Sequence, residues 1–117
     1  MLEEIGEISL LYDFYGALLP EKQREFLHLY HEENYSLAEI AELYGLSRQA
    51  VYDAVRKAQS KLGVYEDKLG LVARLMQNEA LIGEIDEAID RLVKEYGDNA
   101  ELAESLALIS AKAECLR

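Results

Sequence analysis

The sequence predicts an all-α protein, a helix-turn-helix bundle followed by a long helical hairpin. Three observations point there. The composition is dominated by residues that lose little freedom on entering a helix, with one proline, Pro20, and no threonine. Apolar residues recur at spacings of three and four, not two. Helix punctuation falls between these stripes, with Ser36, Ser47 and Asp98 placed to cap starts and Gly45, Gly63 and Gly97 placed to end helices.

Each element follows from this punctuation. Residues Glu3 to Leu19 carry the stripe Ile5, Ile8, Leu11, Tyr12, Tyr15 and Leu18 and predict a first helix. Pro20 restarts the chain, since a helix start does not need its missing N–H, and Glu21 adds negative charge at the positive end of the dipole. The second helix runs to about Glu32 with Phe26, Leu27 and Tyr30 inward, and Asn34 and Tyr35 form a loop. Ser36 with Glu39 makes a capping box for a third helix, Leu37 to Tyr44, that buries Leu37, Ile40, Ala41 and either Leu43 or Tyr44. Ser47 caps a fourth, whose inward residues are Val51, Val55, Ala58 and Leu62 and which Gly63 is expected to close.

A fifth helix is predicted from about Tyr65 to Tyr96, with Leu69, Val72, Leu75, Ile82, Ile85, Ile89, Leu92 and Tyr96 in nearly heptad spacing and Gly70 and Gly83 inside it. Asp98 with Glu101 is read as a second capping box, opening a last helix from Asn99 to about Leu116 that buries Leu102, Leu106, Ile109 and Ala113. The expected organisation is a helix-turn-helix domain over 1–64 and a C-terminal hairpin over 65–117, packing on that domain or dimerising. A stripe this long favours a homodimer, which would present two recognition helices to two half-sites.

The 117 residues bound a single ordinary domain and leave no room for a catalytic cleft between two. One cysteine, Cys115, excludes an intramolecular disulfide and any multi-cysteine metal site, as fits a reducing cytosol. No apolar run reaches the ~18 residues of a membrane span, and Met1 to Glu7 lacks the basic start of a signal peptide, so the expected place is the cytoplasm, with no membrane partner. The net charge of −11 repels nucleic acid, but its distribution does not. Between Ser47 and Arg74 stand six basic residues (Arg48, Arg56, Lys57, Lys61, Lys68, Arg74) and three acidic ones (Asp53, Glu66, Asp67), a local +3 against −14 for the remainder.

The segment Leu37 to Val51 carries the function. Two short helices that cross at a tight turn need a small residue at the crossing, a residue tolerant of positive φ in the turn, and an apolar anchor in the second helix. Ala41, Gly45 and Val51 meet these demands, Leu46 is expected to plug the turn, and Ile40 fills beneath. The second helix of such a motif lies in the major groove with its first residues at base edges. Its outward residues are Ser47, Arg48, Gln49, Tyr52, Asp53, Arg56 and Lys57, with Lys61 further along. Arginine pairs with guanine and glutamine with adenine, Ser47 and Tyr52 can donate to phosphate, and Arg56, Lys57 and Lys61 can neutralise the backbone. Asp53 on the same face opposes phosphate.

The stretches from Leu19 to Tyr30, Tyr35 to Ala41, Ser47 to Val51, and Lys61-Leu62 resemble region 4 of bacterial sigma factors. Tyr12-Asp-Phe-Tyr, Leu18-Leu-Pro, Lys22-Gln-Arg, Tyr35-Ser-Leu-Ala-Glu-Ile-Ala, Ser47-Arg-Gln-Ala-Val-Tyr-Asp and Tyr65-Glu-Asp-Lys-Leu more specifically resemble the YlxM family, small bacterial helix-turn-helix proteins associated with the signal recognition particle pathway. The resemblance covers about residues 8 to 76. It implies DNA as one partner and the signal recognition particle, through its GTPase protein or its RNA, as another.

Other chemistry is weaker. His28 and His31 stand three apart with no third ligand placed by the sequence, and read as exposed helix histidines. Glu84, Asp86, Glu87 and Asp90 read as the solvated face of the fifth helix. Neither a nucleophile with its base nor a phosphate loop is present, so no enzyme activity, cofactor or metal is expected. Three functions stay open: a DNA-binding regulator, an accessory protein of the signal recognition particle that binds its RNA or GTPase, and a purely interactive helical module.

Overall fold

The computed structural model describes residues 2–117, and side chains from Gly6 onward. Six α-helices are described: α1 (Leu2–Tyr15), α2 (Glu21–Leu27), α3 (Leu37–Tyr44), α4 (Arg48–Leu69), α5 (Leu71–Tyr96) and α6 (Ala100–Glu114). A 3₁₀ turn, Gly16–Leu18, follows α1, and a π-helical turn, His28–Glu32, follows α2. No strand occurs among the described residues, so the all-α prediction holds. The chain forms two compact units, residues 1–72 and residues 73–117.

The first unit has one continuous core. Leu11, Tyr15 and Leu19 meet Phe26 and Leu27, then Ile40 and Ala41, then Val51, Val55, Ala58 and Leu62, with Val72 at its edge. Burying each large side chain contributes roughly 1.5–3 kcal/mol, so this stripe-on-stripe packing is the main source of stability in the unit. The α1 stripe is followed through Leu11 and Tyr15, while Ile5 lies outside the residues whose side chains are described. Leu18, predicted inward, is 56% exposed, and Leu19 is buried instead. Leu19 has left the turn: before Pro20 it is extended, at φ −76° and ψ 149°, so helical spacing no longer decides which way its side chain faces.

A tyrosine at the end of α1 and a glutamate in the last turn of α4 decide where α4 ends. Gly63 was expected to close α4 and Gly70 to lie inside the next helix; the structure reverses the two. Gly63 is helical and faces open space, whereas Gly70 takes φ +62° and its N–H bonds the Glu66 carbonyl at 2.8 Å. The Tyr15 hydroxyl donates to Glu66 Oε1 at 2.6 Å and accepts from the Leu71 N–H at 3.1 Å; Glu66 Oε1 also accepts from the Val72 N–H at 3.0 Å. Two donors that α5 leaves unpaired at its start are thereby satisfied at Gly70, and nothing comparable exists at Gly63. Burial and the neighbouring Glu66 carboxylate raise the Tyr15 pKa above its ordinary value, so the hydroxyl stays protonated and able to donate.

The second unit comprises most of α5 and all of α6. Gly97 follows the last residue of α5, and Arg117 pairs with Asp86 at 3.2 Å, so α6 returns antiparallel along α5 as the hairpin prediction requires. Asp86 therefore stands apart from Glu84, Glu87 and Asp90, which are exposed. The N-cap of α6 is Asn99, whose Oδ1 accepts from the Leu102 N–H at 3.1 Å, one residue later than the predicted Asp98. Ile82, Ile89, Leu106 and Ala113 are buried, but Ile85, Leu92, Tyr96 and Ile109, also predicted inward, are exposed.

Candidate nucleic-acid interface

The helix-turn-helix is assembled from α3 and α4 by three local devices. The Glu39 N–H donates to Ser36 Oγ at 3.0 Å and the Ser36 N–H to Glu39 Oε1 at 3.1 Å, completing the capping box. Gly45 ends α3 at φ +65°, a conformation that costs a side chain roughly 1 kcal/mol. Ser47 Oγ accepts from the Ala50 N–H at 3.1 Å and starts α4. Beneath the turn Ile40, Ala41 and Val51 are buried, as the spacing demands. Leu46 does not plug the turn: its side chain is 46% exposed, and its N–H closes the turn by donating to the Ala41 carbonyl at 2.9 Å. Between the two alternatives for the end of α3, Tyr44 is the packed one and Leu43 is exposed. Tyr44 meets Phe26 edge-on at 4.8 Å, donates to Glu25 Oε2 and carries Lys22 over its ring, which fastens α3 to α2.

With Val51, Val55, Ala58 and Leu62 turned into the core, the opposite side of α4 is left to solvent. Ser47, Arg48, Gln49, Tyr52, Asp53, Arg56 and Lys57 are exposed and Lys61 is half-buried. Residues four apart align on a helix, so these side chains form two rows. One runs Arg48, Tyr52, Arg56; the other runs Gln49, Asp53, Lys57, Lys61. Among the described residues, Arg48, Arg56, Lys57 and Lys61 enter no ion pair, so their charge is not spent within the chain. Gln49 Nε2 donates to Asp53 Oδ1 at 3.0 Å, which ties one of the two amide hydrogens a base contact would use. The second row is thus part neutralised at Asp53, while the first alternates cation, aromatic ring and cation without an acid.

Residues outside the sequence reading extend this face. A cavity of about 460 Å³ is lined by Leu37, Arg48, Gln49 and Tyr52, and a second of about 240 Å³ by Tyr30, Leu37, Tyr52, Val55, Arg56 and Gln59. Tyr30 and Leu37 were read as core alone, and Gln59 was not singled out. Tyr30 sits on the π turn, and no residue pattern announces such a turn. The turn also displaces His31 from the exposed position expected of it. His31 is half-buried, and the Gln59 amide nitrogen lies 2.6 Å from its Nε2, donating to the neutral ring. Burial lowers the His31 pKa below its ordinary value, with Glu32 opposing more weakly. His28 is half-buried as well and pairs with Glu33 at 3.3 Å, so the two histidines do not converge. Among the described residues no group of three His, Cys, Asp or Glu side chains is gathered where an ion would sit.

No helix is long and apolar enough to cross a membrane among the described residues. Comparison with known proteins gives a consistent set of relatives. A family model described as "Putative helix-turn-helix protein, YlxM / p13 like" matches residues 2–104. The UPF0122 protein of Geobacillus kaustophilus is 47% identical over 103 residues, covering 88% of this chain and 91% of the relative. That of Symbiobacterium thermophilum is 40% identical over 112 residues, covering 96% of this chain and all of the relative. That of Caldanaerobacter subterraneus reaches 50% identity over 82 residues, 70% of each chain. The match runs well beyond residue 76, where the resemblance read from the sequence stopped, and includes α5 and the start of α6. The chain belongs to the UPF0122 family of YlxM / p13-like helix-turn-helix proteins.

Proposed function

We propose that the protein is a cytoplasmic, non-enzymatic nucleic-acid-binding regulator that presents the exposed face of α4 to its target. The observation that carries this reading is the row Arg48, Tyr52, Arg56, exposed and without internal ion pairs on the second helix of a helix-turn-helix. Arg48 and Gln49 stand where such a helix meets base edges, and Ser47, Arg56, Lys57 and Lys61 where it meets the backbone. Ser47 Oγ accepts from Ala50 but keeps its own hydrogen to donate. Fluorescence anisotropy with genomic fragments tests the assignment. Arg48→Ala costs about 1–3 kcal/mol of discrimination at one base pair. Unchanged sequence preference in both Arg48→Ala and Gln49→Ala refutes this reading face.

A second reading places the same face on a component of the signal recognition particle. It is favoured by the net charge of −11, which penalises long duplexes more than a compact structured RNA or a protein, and by the YlxM-like sequence. A pull-down comparing particle RNA, particle GTPase and duplex DNA separates the two, and retention of neither particle component removes it. The division of labour we infer assigns nucleic-acid contact to the helix-turn-helix domain and self-association to the C-terminal hairpin. The exposed Leu81, Ile85, Leu92 and Ile109 support a homodimer built on the hairpin. Light scattering that stays at one chain mass at high concentration refutes it.

A further inference from the structure

We propose that the cleft formed by the π turn, the start of α3 and the outer face of α4 is a nucleobase pocket, which takes one unpaired base of a nucleic-acid strand against Tyr52, with Arg48 beside the base and a flanking phosphate held by Arg56. This rests on the nucleic-acid reading above and names the form of the ligand. The two cavities beside α4 share Leu37 and Tyr52 as walls, so they adjoin at these two side chains. The larger, about 460 Å³, is of a size usual for small-ligand sites, ~300–1,000 Å³. Tyr52 is 44% exposed, the one tyrosine of this unit among the exposed large apolar side chains, and its hydroxyl has no hydrogen-bond partner among the described residues. An apolar ring held open beside a cavity is a stacking platform, and Leu37 supplies the apolar second wall that flipped or unpaired bases use.

The charges around the ring fit a nucleotide. Arg48 and Arg56 stand one helical turn before and after Tyr52, about 6 Å along the axis in each direction. A strand crossing the ring therefore meets a guanidinium on both sides of the stacked base. Gln49 lines the larger cavity and Gln59 the smaller; their amide nitrogens already donate to Asp53 and His31, which leaves the carbonyl oxygens to accept at a base edge. The overall charge supports the same conclusion. A chain of net −11 gains little from long-range attraction to phosphate, so the surplus affinity comes from short-range terms, of which stacking is the largest offered here. A regular duplex keeps its bases stacked on one another and does not reach Tyr52 in this way.

The test uses the full chain at low salt with four labelled probes: a short single strand of DNA, the same sequence as RNA, a stem-loop, and a blunt duplex. The single strands and the stem-loop bind more tightly than the duplex. Tyr52→Ala, an exposed substitution that leaves the fold intact, weakens single-strand binding about tenfold, Tyr52→Phe retains it, and the loss on the duplex is smaller than the loss on the single strands. The pocket is supported by that loss in either the DNA or the RNA arm, and the arm with the larger loss identifies the preferred sugar. Wild-type affinity of Tyr52→Ala for both strands overturns the pocket; if Arg48→Ala still weakens the duplex, the nucleic-acid reading survives that result. Absence of binding to all four probes overturns both.

Discussion

Residues 1–72 and residues 73–117 are both helical, yet they use apolar residues differently. In the first unit the inward stripes of α1, α2, α3 and α4 close on one another, and Leu27, Ile40, Val51, Ala58 and Leu62 are fully excluded from water. In the second only Ile82, Ile89, Leu106 and Ala113 are buried, while Met76, Leu81, Ile85, Leu92, Val93, Tyr96, Leu108 and Ile109 remain exposed. A four-helix arrangement can surround each stripe; two helices cover only the seam between them. The first unit therefore completes its own core and can hold a rigid face to a ligand, and the second offers apolar surface to something else.

The largest effect that probes this contrast is Leu62→Ala, expected to cost about 2–5 kcal/mol of unfolding free energy in denaturant titration, because the cavity it leaves has no route to solvent. Ser36→Ala removes the α3 cap and costs about 1 kcal/mol. The two glycines of α4 separate by sign. Gly70→Ala is destabilising by roughly 1 kcal/mol because of its left-handed backbone, and Gly63→Ala stabilises by about 0.5–1 kcal/mol because it is helical with open space around it. Equal signs in thermal melts contradict the helix boundary at Gly70. Leu108→Ala, the same chemistry as Leu62→Ala on the exposed hairpin, costs under about 0.5 kcal/mol in dilute protein. A cost that grows with protein concentration shows a second copy covering that surface.

The smallest effect is a pH dependence at His31. Its folded pKa is depressed, so the unfolded chain binds more protons as the ring titrates. The stability it contributes is present above the ordinary histidine pKa and is lost as pH falls through the folded value. Stability measured from neutral towards mildly acidic pH declines more steeply in the native chain than in His31→Gln. Identical slopes contradict the neutral ring accepting from Gln59.

Legibility in the sequence followed the range of the interaction responsible. The capping box at Ser36, the turn at Gly45 and the inward set Val51, Val55, Ala58 and Leu62 are fixed by neighbours within a few positions, and each was readable. The exchange of roles between Gly63 and Gly70 was not, because the partners that open α5 come from Tyr15, fifty-one residues before Glu66 in the chain. The π turn shifts the register at His31 without any local residue demanding it, so Tyr30 and Gln59, which line the smaller cavity, stayed hidden. In the hairpin the periodicity was right, but it could not say which apolar residues a single chain would cover.

The role of α4 is tested most sharply by the salt dependence of binding, measured for the native chain and for Arg56→Ala on one probe. A cation that contacts phosphate contributes about one unit to the slope of log affinity against log salt. The native chain should lose affinity as salt rises, and Arg56→Ala should lose about one unit of the slope while the helical circular dichroism stays unchanged. The same slope and the same affinity in both proteins would show that the exposed face of α4 is not where the polyanion lies.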